Sequence, residues 1–181
     1  MQQTVATSMS NAWISKKPSE FSGSPIDRFN KEWALATAGK KDDYNTMTIS
    51  WGTIGYLWER PVAFLFVRPY PSRYTHKFTE KYSHFTLTFF DKSLKTKVHK
   101  ICGNKSGQDI DKAKEAGITP IYLGSEDIVS FEEAKDILVC KKIYTGRFDP
   151  EKFLDPSIEN LYPIKDYHQV YIGEIEKYYT K

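Results

Sequence analysis

The stretch between residues 68 and 75 gathers side chains that bind anions. It holds Arg68 and Arg73 together with Ser72, Tyr74 and Thr75. Guanidinium groups donate forked hydrogen bonds to phosphate. If a helix begins at Ser72, its first backbone N–H groups lack partners within the helix and also favour an anion. The stretch therefore predicts a site for one phosphate group, with the Thr75 hydroxyl as a further donor.

A second stretch, residues 45–51, alternates in the two-residue period of a strand. One face carries Asn45, Met47, Ile49 and Trp51, and the other carries Thr46, Thr48 and Ser50. Met47 and Trp51 offer a flat apolar bed, while the hydroxyls offer hydrogen-bond donors and acceptors. Together with the phosphate site, this strand suits a nucleotide with a planar heterocycle, such as a flavin nucleotide.

Each of these residues also has a purely structural interpretation. Trp51 is typical of a core, Arg68 of a surface ion pair, and Ser72 of a helix cap. The strand hydroxyls are ordinary strand surface. Ser106 followed by Asp109 has the spacing of a capping box. The residues alone leave both interpretations open.

The four histidines do not predict a metal site. His76, His84 and His99 have no cysteine or carboxylate companions at ligand spacing. His168, taken alone, is an ordinary strand histidine.

Strand signals dominate the rest of the chain. Alternating or continuously apolar runs predict strands over residues 33–38, 45–51, 62–67, 84–90, 118–123, 137–144 and 169–175. Residues 52–61, with two glycines and a proline, predict a loop. Residues 1–30 predict an irregular lead-in. Many short strands with few helices indicate a closed or nearly closed barrel in a single domain spanning residues 1–181.

Two segments predict helices, residues 72–82 and residues 91–117. Ser72 is the expected cap of the first helix, and Gly117 the expected end of the second. Four lysines recur at helical spacing in the second: Lys92, Lys95, Lys97 and Lys100. They form either a solvated helix face or a site for a polyanion.

Composition narrows the class of protein. The net charge of +3 over 181 residues is too small to indicate a nucleic-acid partner. Residues 62–67 are the longest apolar run and are too short to cross a bilayer, and residues 1–11 lack the apolar core of a signal peptide. We therefore expect a cytoplasmic protein with no membrane partner. Cys102 and Cys140 form no CxxC pair and predict buried reduced thiols, with a disulfide or redox role as the alternative.

Four segments together resemble the FMN-binding flavin reductase-like and flavoredoxin-like proteins. They are residues 45–52, residues 68–75, Gly103–Lys112 (GNKSGQDIDK) and Tyr167–Ile175 (YHQVYIGEI). The resemblance covers roughly residues 30–177. It implies a mainly β fold, an FMN-binding split β-barrel of Greek-key type with a few peripheral α-helices, which forms a homodimer.

The resemblance also implies roles for individual residues. The strand of residues 45–51 would lie along the flavin ring and ribityl chain, and residues 68–75 would take the phosphate of FMN. Lys105 and Ser106 would lie close to the cofactor. His168 matches a histidine that family members place near the nicotinamide or the flavin.

Two activities follow from the resemblance. The first is a flavin reductase that takes a hydride from NAD(P)H and passes electrons to an acceptor. The second is an FMN electron carrier without significant NAD(P)H oxidase activity. Many members have Gly-Asp before the histidine where this chain has Asp166 and Tyr167, which fits the carrier slightly better. A barrel that binds nucleic acid through aromatic side chains is a third class, and the low charge argues against it.

Overall fold

The computed structural model describes residues 9–181, and the first eight residues of the expected lead-in lie outside the described residues. Within these described residues, ten strands form one antiparallel sheet. The strands are β1 (Ile14–Lys16), β2 (Ala34–Lys40), β3 (Asp43–Ile49), β4 (Gly52–Leu57), β5 (Arg60–Val67), β6 (His84–Phe89), β7 (Pro120–Leu123), β8 (Ile128–Phe131), β9 (Asp136–Arg147) and β10 (Gln169–Thr180). The α-helices are α1 (Pro25–Asp27), α2 (Thr75–Lys81), α3 (Lys92–Asn104) and α4 (Lys112–Ala116).

The sheet runs in the order β4-β5-β10-β9-β6-β2-β8-β7, with β1 added to β10 and β3 added to β2. The long strands β9 and β10 lie inside the sheet and pair with each other; β10 also pairs with β5, and β9 also pairs with β6. Within residues 9–181, β3 pairs with β2 alone, so one edge of β3 carries no strand partner.

Two apolar clusters fill the two sides of the sheet. The predicted alternation of β6 is confirmed, since Phe85, Leu87 and Phe89 point into the larger cluster. Its other face is also buried and makes hydrogen bonds instead: the Thr86 hydroxyl donates to the carbonyl of Val129 at 2.8 Å. The smaller cluster lies between the sheet and the helices α3 and α4. Both faces of β6 are therefore covered, which makes it a rigid support for its neighbours.

Residues 52–61 are not the loop that their glycines and proline predict. Gly52–Leu57 is the edge strand β4, paired in antiparallel register with β5. The turn between them falls at Trp58 and Glu59, whose φ angles are 50° and 59°. Turns of this kind normally use Asn and Gly at those positions. The sequence thus carries no turn signal where the chain turns, and the hairpin is missed.

The predicted lead-in also contains regular structure. Its described part includes β1 and α1, and a π-helical turn continues α1 through residues 28–32. β1 forms only because the C-terminal half of β10 is there to pair with it. Strand β8 was likewise not predicted, because its four residues are too short to show a period.

The predicted start of the first helix is wrong, whereas the predicted start of the second, at residue 91, is confirmed by α3, whose cap residue is Asp91. The backbone N–H of Ser72 donates to the carbonyl of Pro69 in a turn, so the first helix begins only at Thr75. The segment 91–117 is two helices, not one, and no helix begins at Ser106, although the Ser106 hydroxyl accepts a hydrogen bond from the N–H of Gln108 at 3.2 Å. Instead the Asp111 side chain accepts from the N–H of Lys114 and starts α4. The predicted end is confirmed: Gly117 adopts the left-handed conformation, with φ at 70°.

No helix within residues 9–181 combines the length and the apolar character needed to span a bilayer. Over the same residues, no three His, Cys, Asp or Glu side chains meet in an arrangement that could hold a metal ion. Cys102 and Cys140 are both free and buried, as expected.

Candidate functional site

The candidate site lies along the edge of β3 that has no strand partner among residues 9–181. In an antiparallel strand, the N–H and C=O groups of alternate residues point to the same edge. The Thr46 carbonyl points away from β2, since it accepts a hydrogen bond from the Lys112 ammonium at 2.8 Å. The N–H and C=O of Thr48, two residues on, therefore face the same open edge. Two recesses lie along this edge, one towards each end.

The first, which we call the anion recess, has a volume of about 210 Å³. It is lined by Met47, Thr48, Pro71, Ser72, Arg73, Tyr74, Thr75, Cys102, Gly103, Asn104, Lys105, Ser106, Gln108 and Lys112. No acidic side chain is among these residues, while Arg73, Lys105 and Lys112 are cationic. The recess therefore suits a compact anion.

Lys112 is a buried cation that sequence reasoning missed. It is 7% exposed, and its ammonium donates to the carbonyls of Thr46 and Cys102 at 2.8 and 3.0 Å. Burial disfavours its charge and, with a smaller contribution from Arg73, lowers its pKa to about 8. A signal was present in the sequence: Lys112 shares the buried side of α4 with Ala113 and Ala116, and a lysine on an apolar helix face is rare without a partner.

Thr75 is held from behind by Asn45. The Asn45 amide donates to the Thr75 hydroxyl oxygen at 2.8 Å, and both side chains are buried. The Thr75 hydroxyl keeps its own proton to donate. Gly107 packs directly on this pair: a Cβ there would lie 1.9 Å from the Asn45 side-chain oxygen. The glycine therefore lets the loop after α3 close over Asn45 and Thr75.

The other two cations of the anion recess differ in the protein partners that they bind. The Lys105 ammonium pairs with the Glu115 carboxylate. The Arg73 guanidinium makes only a long 3.4 Å hydrogen bond to the carbonyl of Ser72, and within residues 9–181 it has no carboxylate within 4.0 Å. Arg73 is the cation most available to a ligand.

The second recess, which we call the aromatic recess, has a volume of about 220 Å³. It is lined by Met47, Thr48, Ile49, Ser50, Trp51, Phe66, Arg68, Arg73 and His168. Trp51 is 44% exposed, and its ring centre lies 5.3 Å from that of His168. Arg73, Met47 and Thr48 also line the anion recess, so the two recesses are continuous along β3.

Arg68 is bound to the protein rather than free. Its guanidinium donates to Asp166 at 2.8 Å and to the carbonyl of Leu161 at 2.9 Å. It also stacks over the ring of Tyr162. Burial opposes the charge on Asp166, but interactions with Ser72 and Arg68 outweigh it and lower the pKa of this carboxyl. Arg68 thus ties the segment between β9 and β10 to the end of β5.

His168 is buried at the floor of the aromatic recess. Its Nδ1 lies 2.8 Å from the Tyr162 hydroxyl. Burial and the nearby Arg68 lower its pKa to about 4. The imidazole is therefore neutral at pH 7, and its orientation is set by Tyr162.

Most of the sequence-predicted site residues meet along the free edge of β3. Those that line one or both recesses are Met47, Thr48, Ser50, Trp51, Arg68, Ser72, Arg73, Tyr74, Thr75, Lys105, Ser106 and His168. Asn45 and Thr46 lie behind the wall: Asn45 contacts Thr75, and the Thr46 hydroxyl meets that of Thr37 at 2.9 Å.

A family model described as the flavin reductase like domain matches residues 26–181. No curated protein matches the chain in sequence.

Solved structures share the fold. An FMN-binding domain of a flavin reductases-like enzyme from Shewanella baltica is 16% identical with a TM-score of 0.66, over 94% of this chain and 78% of that one. Flavoredoxin from Methanosarcina acetivorans is 21% identical with a TM-score of 0.64, over 83% and 68%. An NADH:FAD oxidoreductase from Streptomyces globisporus is 12% identical with a TM-score of 0.59, over 81% and 73%. The likeness confirms the predicted split β-barrel with a few helices.

Proposed function

The chain belongs to the flavin reductase-like domain family, and from this premise we propose that it binds FMN and uses it to pass electrons from NAD(P)H to an acceptor. The observation that carries the proposal is the continuous path along the free edge of β3. At one end lies a recess rich in cations, and at the other a recess lined by aromatic rings.

The anion recess fits the phosphate of FMN. Arg73 supplies an uncommitted guanidinium, and the buried Lys112 supplies a fixed positive charge. The Thr75 hydroxyl, oriented by Asn45, adds a neutral donor. Charge-assisted hydrogen bonds of this kind are the strong ones for phosphate. We assign FMN rather than FAD because these donors suit one terminal phosphate group.

The aromatic recess fits the ring of the flavin. Trp51 and Phe66 provide apolar surface, and the edge of β3 that lacks a strand partner among residues 9–181 provides backbone donors and acceptors for the polar edge of the heterocycle. Such rings need both a flat bed and a few placed polar groups. The neutral imidazole of His168 adds no charge to this surface.

The role of the protein here is binding and orientation. When bound, FMN supplies the redox chemistry, exchanging a hydride with the nicotinamide nucleotide. Arg68 holds the segment between β9 and β10 in place, and Tyr162 holds His168 beside Trp51. We assign His168 as a contact to the nicotinamide or the flavin ring.

One observation favours a second candidate, an FMN electron carrier with little NAD(P)H activity. Asp166 stands where many family members have glycine, and its carboxylate is fixed at Arg68 beside the aromatic recess. The Asp166 carboxylate and the Leu161 carbonyl occupy donors of the Arg68 guanidinium, which are then not available to the phosphates of an incoming nicotinamide nucleotide. The two candidates share the flavin site and differ only in the electron donor.

We further propose a homodimer. The hairpin of β4 and β5 ends the sheet and exposes Tyr56 and Trp58, at 74% and 51%. Trp58 packs against the half-exposed Tyr144. Exposed aromatic side chains at a sheet edge are typical of an interface, and two-fold dimers are the commonest assembly. Light scattering is expected to give twice 21.0 kDa, and a monomer at all concentrations would exclude the dimer.

Two measurements test the function. Purified protein is expected to show a flavin spectrum, with FMN as the released cofactor by mass spectrometry; FAD, or no binding of FMN at micromolar concentration, would contradict the proposal. Anaerobic stopped-flow mixing of the FMN-loaded protein with NADH or NADPH separates the candidates. Bleaching of the flavin band on mixing supports the reductase, and a stable band with both nucleotides supports the carrier.

A further inference from the structure

A third cavity lies beside the flavin path and is not used by it. This cavity, which we call the side pocket, has a volume of about 550 Å³ and opens between α3 and the ends of β2 and β3. It is lined by Trp33, Thr48, Ser50, Lys95, Thr96, His99, Lys100, Gly103 and Asn104. Thr48 and Ser50 also line the aromatic recess, so a ligand in the side pocket would lie next to the flavin ring.

The side pocket is positively charged. Lys95 and Lys100 line it, and none of its lining residues is acidic. Within residues 9–181, neither lysine has a carboxylate within 4.0 Å; Lys95 instead donates to the backbone carbonyl of Lys31. The lysine cluster noted in the sequence is thus divided by the fold. Two of its members, Lys95 and Lys100, face the cavity, while Lys92 and Lys97 do not line it.

Trp33 gives the pocket a flat aromatic wall. Its ring is 37% exposed, and the Lys95 ammonium lies 4.6 Å from its centre. Trp33 has a φ of 61°, a conformation that a bulky side chain adopts only under constraint. This backbone conformation holds the indole over the cavity rather than in the core.

His99 forms the inner wall. It is 3% exposed, its ring meets Trp33 edge to face, and its Nδ1 lies 3.0 Å from the Thr48 hydroxyl. Its Nε2 is buried and has no hydrogen-bond partner among the described residues. Burial and Lys95 lower the pKa of His99 to about 4, so the ring is neutral and the positive charge of the pocket comes from the lysines.

We propose that the side pocket binds a planar aromatic anion, with the ring against Trp33 and the anionic group at Lys95 and Lys100. The volume is in the range of small-molecule sites. A ring stacked on indole and an anion held by two ammonium groups match the two kinds of surface that the pocket offers. Such a ligand would be a second small molecule of the flavin site. The binding of this ligand does not depend on the proposed function. Only the inference that the ligand lies next to a flavin rests on that function.

The test follows the indole N–H signal of Trp33 by NMR, assigned from its loss in Trp33→Phe. We expect 2-naphthoate to shift this signal saturably and to bind about tenfold tighter than the neutral 2-naphthamide, because only the acid pairs with the lysines. Adenosine monophosphate serves as a second anion. The tighter of the two anions identifies whether a carboxylate or a nucleotide phosphate is preferred, and binding of either supports the site.

Lys95→Met and Lys97→Met form a matched pair on α3. The first is expected to weaken 2-naphthoate about tenfold and to leave 2-naphthamide unchanged, whereas the second, which lies outside the pocket, changes neither. No saturable shift at Trp33, equal affinity for acid and amide, or equal effects of the two variants would each overturn the proposal. FMN titrations on the same proteins keep the two hypotheses apart, since neither substitution touches the FMN path.

Discussion

The two ends of the β3 edge are built in opposite ways. In the anion recess, the Arg73 guanidinium makes only a long hydrogen bond, to the carbonyl of Ser72, among residues 9–181. In the aromatic recess, Arg68 is bonded to Asp166 and Leu161, and His168 to Tyr162. A residue whose donors have no protein acceptor can donate them to a ligand. A residue whose donors already bond to the protein instead fixes the shape of the site. Two arginines only five positions apart in sequence therefore have different tasks.

The largest expected effect tests the anion end. Arg73→Ala should weaken FMN binding by about 1.5–3 kcal/mol, the usual scale of a hydrogen bond to a charged group. Riboflavin lacks the phosphate and should bind the variant and the unmodified protein equally. Fluorescence-quenching titrations with both flavins measure this. An equal loss of affinity for both flavins would mean that Arg73 contacts the flavin ring or supports folding. No loss of FMN affinity would mean that Arg73 is not part of the site.

Arg68→Ala tests the other end and should act on the fold. Its pair with Asp166 is mostly buried, with the side chains 22% and 11% exposed. Removing one partner should lower the free energy of unfolding by about 1.5 kcal/mol, discounted for partial solvent screening. Because the segment between β9 and β10 loosens, both flavins should lose affinity together. Urea unfolding and the same titrations report it. Loss confined to FMN would show that Arg68 also contacts the phosphate.

Lys112→Met should weaken FMN by about 1 kcal/mol at pH 7 through the lost charge. The pKa of Lys112, lowered to about 8, sets the pH dependence. The ammonium is charged below pH 8, so FMN affinity of the unmodified protein should fall as pH rises through 8, and that of the variant should stay flat. A matching slope in the variant would assign the pH dependence to another group.

Stability without flavin should change in the opposite direction. The folded pKa of Lys112 lies below the unfolded value of about 10.4. Between pH 8 and about 10.4 the unfolded chain binds more protons, so the unfolding free energy should rise with pH across that window. Subtracting the curve of Lys112→Met isolates this contribution. The absence of a difference between the two proteins would mean that Lys112 titrates normally.

Thr75 should give the smallest effect, because its hydroxyl is a neutral donor. Thr75→Ala is expected to weaken FMN by about 0.5–1 kcal/mol, while Thr75→Ser keeps the hydroxyl and should bind FMN almost as the unmodified protein does. Isothermal titration at pH 7 compares the three. If Ser and Ala lose equally, the threonine methyl and its packing matter more than the hydroxyl.

The strands around the site show which elements a local sequence pattern can predict and which it cannot. β3 and β6 are predicted because alternation is a property of neighbouring residues, and each face of these strands meets one environment. β4 is missed because its turn at Trp58 and Glu59 uses residues that rarely adopt positive φ. Pairing with β5 holds that turn in place, and no local signal reports such pairing.

The candidate site divides in the same way. The arginine-rich stretch at residues 68–75 and the hydroxyl-rich strand at 45–51 are visible because each is continuous in sequence. The role of Lys112 is not visible in the sequence, because the Thr46 carbonyl that it contacts is 66 residues away. Trp33 and His99, the walls of the side pocket, are equally distant in sequence and meet only when α3 packs on β3.

Residue chemistry and short-range periodicity were thus enough to indicate a β protein with one phosphate-sized site and a flat surface beside it, since both depend on neighbours in the chain. Only the tertiary structure decided that Arg68 pairs with a carboxylate and that Arg73, among the residues that the structure describes, does not. That difference depends on whether Asp166, nearly a hundred residues later, folds back onto one guanidinium or the other. It folds onto Arg68 because β10 pairs with β5 and brings residue 169 opposite residue 67.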